Sequence, residues 1–327
     1  MGSWTAGWWS ALRARWVFIR DRMNGLPGGT RGYISRRGAY PGSRSRYFQV
    51  HAPRPGLVRV KRPLVVVLHG CRQDHNAIAE ISGFRELADA KGFIVAFPFI
   101  TSYSGIRGEN CWGWWLESER WQGAGEVEDL WQIIEQIRES HDVDEQRIHL
   151  VGLSSGAGMA LALAASRHPS LASAAVVAGV PFGEGAESVQ YLPHSIAVHK
   201  PLPVLVEMLE KSLGKWTRAL PLMVVHSRDD KLVTFRSAEN IRDSWTAAFG
   251  ANSALADSVE SGQDGTVRWE RAIHNHPDTG QRVLETLFLD GPGHGWYGGR
   301  AGQFSFPGGP DTAAESWMFF DAHRRGD

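Results

Sequence analysis

Residues 147–159 read RIHLVGLSSGAGM, and the fold is decided there. Arg147 to Gly152 is a short apolar run of strand type, and the small residues beyond it open a helix that ends near Pro169. Between the two, Gly152-Leu153-Ser154-Ser155-Gly156 forms G-x-S-x-G in the strand-turn-helix setting that this motif requires. Such a turn holds its serine in strained backbone geometry, so its neighbours must lack bulk, and Gly152, Gly156, Ala157 and Gly158 do. The helix N-terminus beside the serine also stabilises negative charge. Ser154 is the candidate nucleophile, and Ser155 the candidate to present a backbone N–H to an oxyanion. The plain alternative is a glycine-rich turn with an inert serine.

Working outward, Tyr47 to Ala52, Leu64 to Leu68 and Phe93 to Phe97 read as strands upstream, with a helix carrying Phe84, Leu87 and Ala88 between the last two. Val127, Leu130, Trp131, Ile134 and Ile137 share one helical face. Downstream, Ala174 to Ala178 and Leu222 to His226 are further apolar strands. Strand, crossover helix, strand predicts an α/β fold with a mostly parallel open sheet and helices on both faces. Val267 to Ile273 and Arg282 to Leu289, around His276, Pro277, Asp278 and Gly280, predict a hairpin. Residues 183–221 interrupt the rhythm with prolines and a helical run from Val204 to Leu213, and read as a small inserted cap or lid over the sheet's carboxyl edge.

The first 44 residues differ in character. Trp8, Trp9, Leu12, Trp16 and Ile19 recur at near-helical spacing, with Arg13, Arg15, Arg20 and Arg22 between them. The expectation is an amphipathic helix docked onto its own domain, with a membrane surface or a partner as the alternative. Asn24 to Arg46, rich in Gly, Arg and Pro, reads as a loop or linker. The predicted division is a Trp/Arg-rich helix and linker over 1–44 and a catalytic domain over 45–327.

Composition bounds the function. Lys plus Arg and Asp plus Glu number 35 each, which removes the electrostatic argument for nucleic acid as a partner and suits a neutral or apolar substrate. Hydrophobic residues make up 43% of the 327, enough for a sizeable core. No stretch approaches the apolar length that spans a bilayer. Arginines interrupt any secretory pattern at the N-terminus, so the expectation is a cytoplasmic chain, or a secreted one whose leader was removed. Cys71 and Cys111 exclude a disulfide scaffold and a four-thiolate zinc site, and leave open one bridge or two buried thiols.

If Ser154 is a nucleophile it needs a base and an orienting acid. In α/β-hydrolases these follow in the order serine, acid, histidine, each on a loop after a core strand. After Leu222 to His226 come Asp229 and Asp230; after Leu284 to Leu289 comes His294 between Gly293 and Gly295. A histidine flanked by glycines can reach the serine hydroxyl, and a carboxylate on its other nitrogen fixes its tautomer. Asp230 is chosen over Asp229 because His226 to Val233 resembles the H-G-x-x-D-x-x-V loop of many α/β-hydrolases. His274 and His276 lack a third ligand for a metal. His69 reads as a loop-shaping residue. His69-Gly70-Cys71 follows the strand Leu64 to Leu68, which makes the Cys71 N–H the second oxyanion candidate.

Several blocks together resemble a known family, the esterases related to poly(3-hydroxybutyrate) depolymerases: Leu68-His-Gly-Cys-Arg-Gln73, Cys111-Trp-Gly-Trp114, Gly123-Ala-Gly-Glu126, Gly152-Leu-Ser-Ser-Gly156 and Gly293-His-Gly-Trp-Tyr-Gly-Gly299. The resemblance covers about Tyr47 to Phe320. It implies an α/β-hydrolase fold, hydrolysis of esters of hydroxy acids without a cofactor, and the roles given above to Ser154, Asp230 and His294. It also implies a Cys71–Cys111 bridge that pins the oxyanion loop. The sequence departs from the family at Gly113, where asparagine is usual, and after Ser154, where Ser-Gly-Ala-Gly replaces Ala-Gly-Gly; substrate preference is what these departures touch. Trp112 and Trp296, beside motif residues, are the expected walls of an acyl groove. Expected substrates are poly- or oligo(3-hydroxyalkanoate) esters, soluble oligomers among them, with feruloyl, acetyl or other short-chain esters as the alternative. The reading from another class is a non-catalytic binding protein on a hydrolase scaffold.

Overall fold

A computed structural model describes residues 3–54, 60–100, 109–191, 195–214, 218–291 and 293–326. Ten strands form one sheet: β1 (Thr30–Ile34), β2 (Tyr47–His51), β3 (Arg62–Leu68), β4 (Ile94–Phe99), β5 (Val143–Leu153), β6 (Ser173–Val177), β7 (Leu222–Ser227), β8 (Ser258–Asp264), β9 (Val267–Asn275) and β10 (Arg282–Asp290). Their spatial order is β1-β2-β4-β3-β5-β6-β7-β10-β9-β8. The run from β4 to β10 is parallel, while β1 and β2 at one edge and β9 and β8 at the other pair antiparallel.

The α-helices among the described residues are α1 (Ser3–Asn24), α2 (His75–Ser82), α3 (Phe84–Lys91), α4 (Gly125–Ser140), α5 (Ser155–Arg167), α6 (Leu202–Leu213), α7 (Phe235–Ala248) and α8 (Thr312–Asp321). The apolar run of β3 shows why both sheet faces must be covered. Leu64, Val66 and Leu68 join one core with side chains of α4, α5, α6 and α7, whereas Val65 and Val67 join a second with α2, α3 and α8. Period-two alternation thus feeds two separate cores, and a strand buried on both faces has no polar positions to spare. The expected hairpin is present, Thr286 facing Ala272 across β10 and β9.

Three expectations need correction. The supposed linker over Asn24 to Arg46 contains β1, which extends the sheet by pairing with β2. Beyond β1, Tyr40 Oη donates to Asp129 Oδ1 at 2.7 Å, Arg44 grips Glu119 at 3.0 Å through both terminal nitrogens, and buried Arg46 donates to Asp129 Oδ2 at 2.9 Å. Charged residues that read as linker are therefore anchors. Within 183–221, α6 buries Leu205, Leu209 and Leu213, the last two in the main core, so this half belongs to the helical layer and not to a cap. The preceding loop lies beside the carboxyl edge, where the Gln190 N–H donates to Leu232 O at 2.9 Å.

The third concerns the face that α1 uses. The helix forms and docks on its own domain as expected, but through Ser10, Ala14, Val17 and Asp21, leaving Trp9, Leu12, Trp16 and Ile19 of the apolar stripe exposed. Trp8 falls among the side chains left undescribed. Ala14 and Val17 pack on Tyr47 and Phe99, a small third core at the sheet edge.

Candidate active site

The carboxyl ends of β3, β5, β7 and β10 converge on one place. At the end of β5, Ser154 has φ 56° and ψ −117°, a conformation that L residues seldom adopt and that tight packing must enforce. The packing is visible in its glycines. A Cβ on Gly152 would stand 2.2 Å from Gly156 O, and one on Gly156 would stand 2.4 Å from Leu68 O. The Ser154 N–H donates to Val177 O at 2.9 Å, which ties the turn to the neighbouring strand.

His294 arrives from the loop after β10, shaped by two glycines. Gly293 has φ +94°, and a Cβ on Gly295 would lie 2.6 Å from Phe304 O. Tyr297 Oη donates to Gly293 O and fixes the loop from below. The imidazole bridges two partners, with Nε2 at 2.9 Å from Ser154 Oγ and Nδ1 at 2.7 Å from Asp230 Oδ2. Phe304 stands edge-on to the ring at 6.2 Å.

Asp230 is buried in the loop after β7. Its Oδ1 accepts the Leu232 and Val233 N–H groups at 2.9 Å each, leaving Oδ2 for His294. Burial raises the carboxyl's pKa, but the His294 hydrogen bond and charge, His226 and the Val233 amide outweigh it and hold it below the usual carboxylate value. His226 is itself buried and donates from Nε2 to Val233 O at 2.8 Å. Burial depresses its pKa, against the opposing pull of Asp230 and of the Val233 carbonyl. Asp229 is exposed and instead accepts the Gly291 N–H at 3.1 Å.

The loop after β3 lies against the serine, since a Cβ on Gly70 would be 3.4 Å from Ser154 Cβ. Gln73 holds the loop, its Oε1 accepting the Gly70 N–H at 3.0 Å and its Nε2 donating to Gln303 O at 3.0 Å. Cys71 and Cys111 are joined in a disulfide, the pairing that the family resemblance implies. Among the described residues, neither the Cys71 nor the Ser155 amide is hydrogen-bonded to an acceptor in the loops and turns around the serine. His69 shapes the turn: its Nδ1–H donates to Gly70 O at 2.8 Å and its Nε2 accepts the Ile100 N–H at 3.3 Å. Full burial lowers its pKa to about 4 and keeps it neutral.

The two tryptophans expected in a groove are not there. Trp112 is wholly buried under the loop and donates from Nε1 to His69 O at 3.0 Å. Trp296 is equally buried, edge-on to Phe84 at 6.0 Å. Adjacency to a motif did not place either side chain on the substrate side. Sequence reasoning also missed the tasks of Gln73, His226 and Phe304; the first two stood inside recognised blocks, and only the fold shows what they touch. His274 and His276 serve separate loops, and among the described residues no three side chains are grouped to hold a metal.

A parallel sheet in this order, with serine on a strained turn after β5, aspartate after β7 and histidine after β10, defines an α/β-hydrolase fold carrying a Ser–His–Asp constellation. The chain belongs to the family described as Esterase PHB depolymerase, which matches residues 47–270. That span includes Ser154 and Asp230 and ends before His294. Among curated relatives, poly(3-hydroxyalkanoate) depolymerase C of Paucimonas lemoignei is 32% identical over 46% of this chain and 34% of its own length. Feruloyl esterase B of Thermothelomyces thermophilus is 26% identical over 60% of this chain and 68% of its own. The chain thus spans about a third of the length of the depolymerase it matches. Among solved structures, an acetyl xylan esterase from Aspergillus awamori has the same fold, with a TM-score of 0.68, 19% identity and coverage of 90% of this chain and 99% of that one.

Proposed function

We propose that the protein is a serine carboxylic ester hydrolase acting on 3-hydroxyalkanoate oligomers. The observation that carries this is the His294 imidazole, hydrogen-bonded at once to Ser154 Oγ and to buried Asp230. Asp230 accepts a hydrogen bond from Nδ1–H, which leaves the Nε2 lone pair facing the serine hydroxyl. As Oγ attacks the ester carbonyl, its proton passes to Nε2, and the oxyanion is met by the Cys71 and Ser155 amides. Collapse expels the alcohol, which takes the proton from Nε2, and leaves an acyl-Ser154. Water then attacks this ester, giving a proton to His294, and the acid departs as Ser154 recovers its own. Donors fixed in advance need no reorganisation, and removing one from such a site costs about 100- to 1,000-fold in rate. The disulfide and Gln73 supply that fixity on the Cys71 side.

The substrate class rests on the family and on the similarity to a protein named as a poly(3-hydroxyalkanoate) depolymerase. A feruloyl or acetyl ester is the second reading, supported by the similarity to a named feruloyl esterase over a larger share of the chain. Acid release from 3-hydroxybutyrate oligomers and from a short p-nitrophenyl ester, by wild type and Ser154→Ala, tests both. Oligomer cleavage abolished in the variant is the expected outcome. Turnover of the p-nitrophenyl ester alone moves the assignment to the second reading, and no serine-dependent turnover of either ester refutes the hydrolase.

A further inference from the structure

Helix α1 has two faces of opposite use. The face of Ser10, Ala14, Val17 and Asp21 is buried on the sheet edge, and Asp21 seats it by accepting from His75 Nε2 at 2.7 Å and Gln49 Nε2 at 2.9 Å. On the other face Trp9 is 73% exposed, Leu12 44%, Trp16 61%, Ile19 55% and Met23 81%. At 100° per residue these five fall within an arc of about 80°, along roughly 21 Å of helix. Arg13 and Arg20 run along one flank of the stripe and Arg15 and Arg22 along the other. The helix has a single acidic residue, Asp21, and it is on the buried side. Arg20 is already engaged with Asp21 and lies 5.5 Å above the Trp16 ring.

We propose that this face seats the protein on an anionic lipid bilayer, with α1 lying in the plane of the interface. Trp9 and Trp16 suit the headgroup boundary, where an amphipathic ring meets both apolar chains and water, while Leu12, Ile19 and Met23 enter the acyl region. Arg13, Arg15 and Arg22 meet the net negative charge of anionic headgroups on either side, which a zwitterionic surface lacks. No described helix is long and apolar enough to cross a membrane, so the contact is one of lying on it. A second copy of the chain is disfavoured by charge. The stripe has the three-four spacing of a coiled-coil seam, but Arg13, Arg15, Arg20 and Arg22 would flank it on both helices, so the charged pairs across the seam would repel. The inference stands independently of the hydrolase reading.

Flotation of the full chain with vesicles of phosphatidylcholine and phosphatidylglycerol, and with phosphatidylcholine alone, tests it. Wild type is expected to float with the anionic vesicles, with a blue shift of tryptophan emission and loss of binding as salt rises. Leu12→Glu/Ile19→Glu and Arg13→Glu/Arg15→Glu/Arg22→Glu should each bind at least about 10-fold more weakly. Their turnover of a soluble p-nitrophenyl ester and their urea midpoints should match wild type, which separates loss of docking from loss of fold or activity. Failure of wild type to bind anionic vesicles, equal binding of the variants, or equal affinity for neutral vesicles overturns the proposal. Self-association abolished by Leu12→Glu/Ile19→Glu, or retention on polyester granules that survives the arginine replacements, assigns the face to another occupant and overturns it too.

Discussion

Replacing Asp230 by asparagine isolates the electrostatic part of the constellation, because the two side chains have the same shape. The surroundings dictate how the amide must sit. Two backbone N–H groups, from Leu232 and Val233, point at the Oδ1 position at 2.9 Å, so the amide oxygen is drawn there and the NH2 is turned toward His294. A donor now faces Nδ1, which must become the acceptor, and the imidazole proton moves to Nε2. The nitrogen 2.9 Å from Ser154 Oγ then offers a proton where it should receive one. Mis-set tautomers of this kind cost about 10,000-fold in kcat, or about 5.5 kcal/mol of transition-state stabilisation. The assay is steady-state turnover of a short p-nitrophenyl ester, with KM expected to change little and thermal stability monitored alongside. Asp229→Asn is the control, since its carboxylate caps Gly291 and does not touch the histidine. Retention of more than about a tenth of wild-type kcat by Asp230→Asn, or an equal loss in Asp229→Asn, would refute the reasoning.

Three further outcomes follow from the packing. Gly156→Ala should destabilise the protein by about 3 kcal/mol or more, since its Cβ would strike the backbone oxygens of Leu68 and His69 at 2.4 and 2.5 Å; an unchanged melting temperature counts against it. Replacing both Cys71 and Cys111 by serine removes a cross-link between positions 40 apart and should cost about 2–4 kcal/mol in a urea titration, together with a fall in kcat as the oxyanion loop loosens. Buried His69 and His149 have pKa values lowered from 6.5 to about 4 and about 3, so the unfolded chain binds more protons than the folded one between those limits. Their contribution is full above pH 6.5 and declines as the pH falls, by on the order of 3 kcal/mol each at pH 4; equal urea midpoints at pH 7 and pH 4.5 would show that they are not buried neutral.

How far the chain could be read without its fold varied with the element. β3, β6, β7 and the second half of β5 were legible because a strand buried on both faces must be largely apolar, whereas the first half of β5, through Asp144 to Gln146, is polar and partly exposed and carried no such signal. β1 was not, since a five-residue edge strand with one Gly and one Arg has no periodic signal and exists only because β2 offers it a partner. β8 is likewise mostly exposed and held by β9 alone. In the candidate site, Ser154, Asp230 and His294 were chosen on motif, chain order and flanking glycines, and these local features are the ones that place each side chain at a strand's carboxyl end. Trp112 and Trp296 were chosen on adjacency, which says nothing of direction. The support given by Gln73 to the loop of Cys71 runs to Gln303, across 230 positions, and no local pattern reaches that far.

By itself the sequence determined the parallel sheet, the strained serine turn and the order of the three polar residues, because each depends on backbone geometry set within a few positions. Tertiary structure alone decided which apolar faces are covered. The tryptophans of α1 are an apolar stripe on any helical projection, but whether a stripe is core or surface depends on what packs against it. Here the sheet edge offers room for Ala14 and Val17 and a carboxylate site for Asp21, so the small face docks and the tryptophans remain outside. Periodicity specifies that a face exists; its neighbour comes from residues far along the chain, through volume and hydrogen bonding that only the folded state brings together.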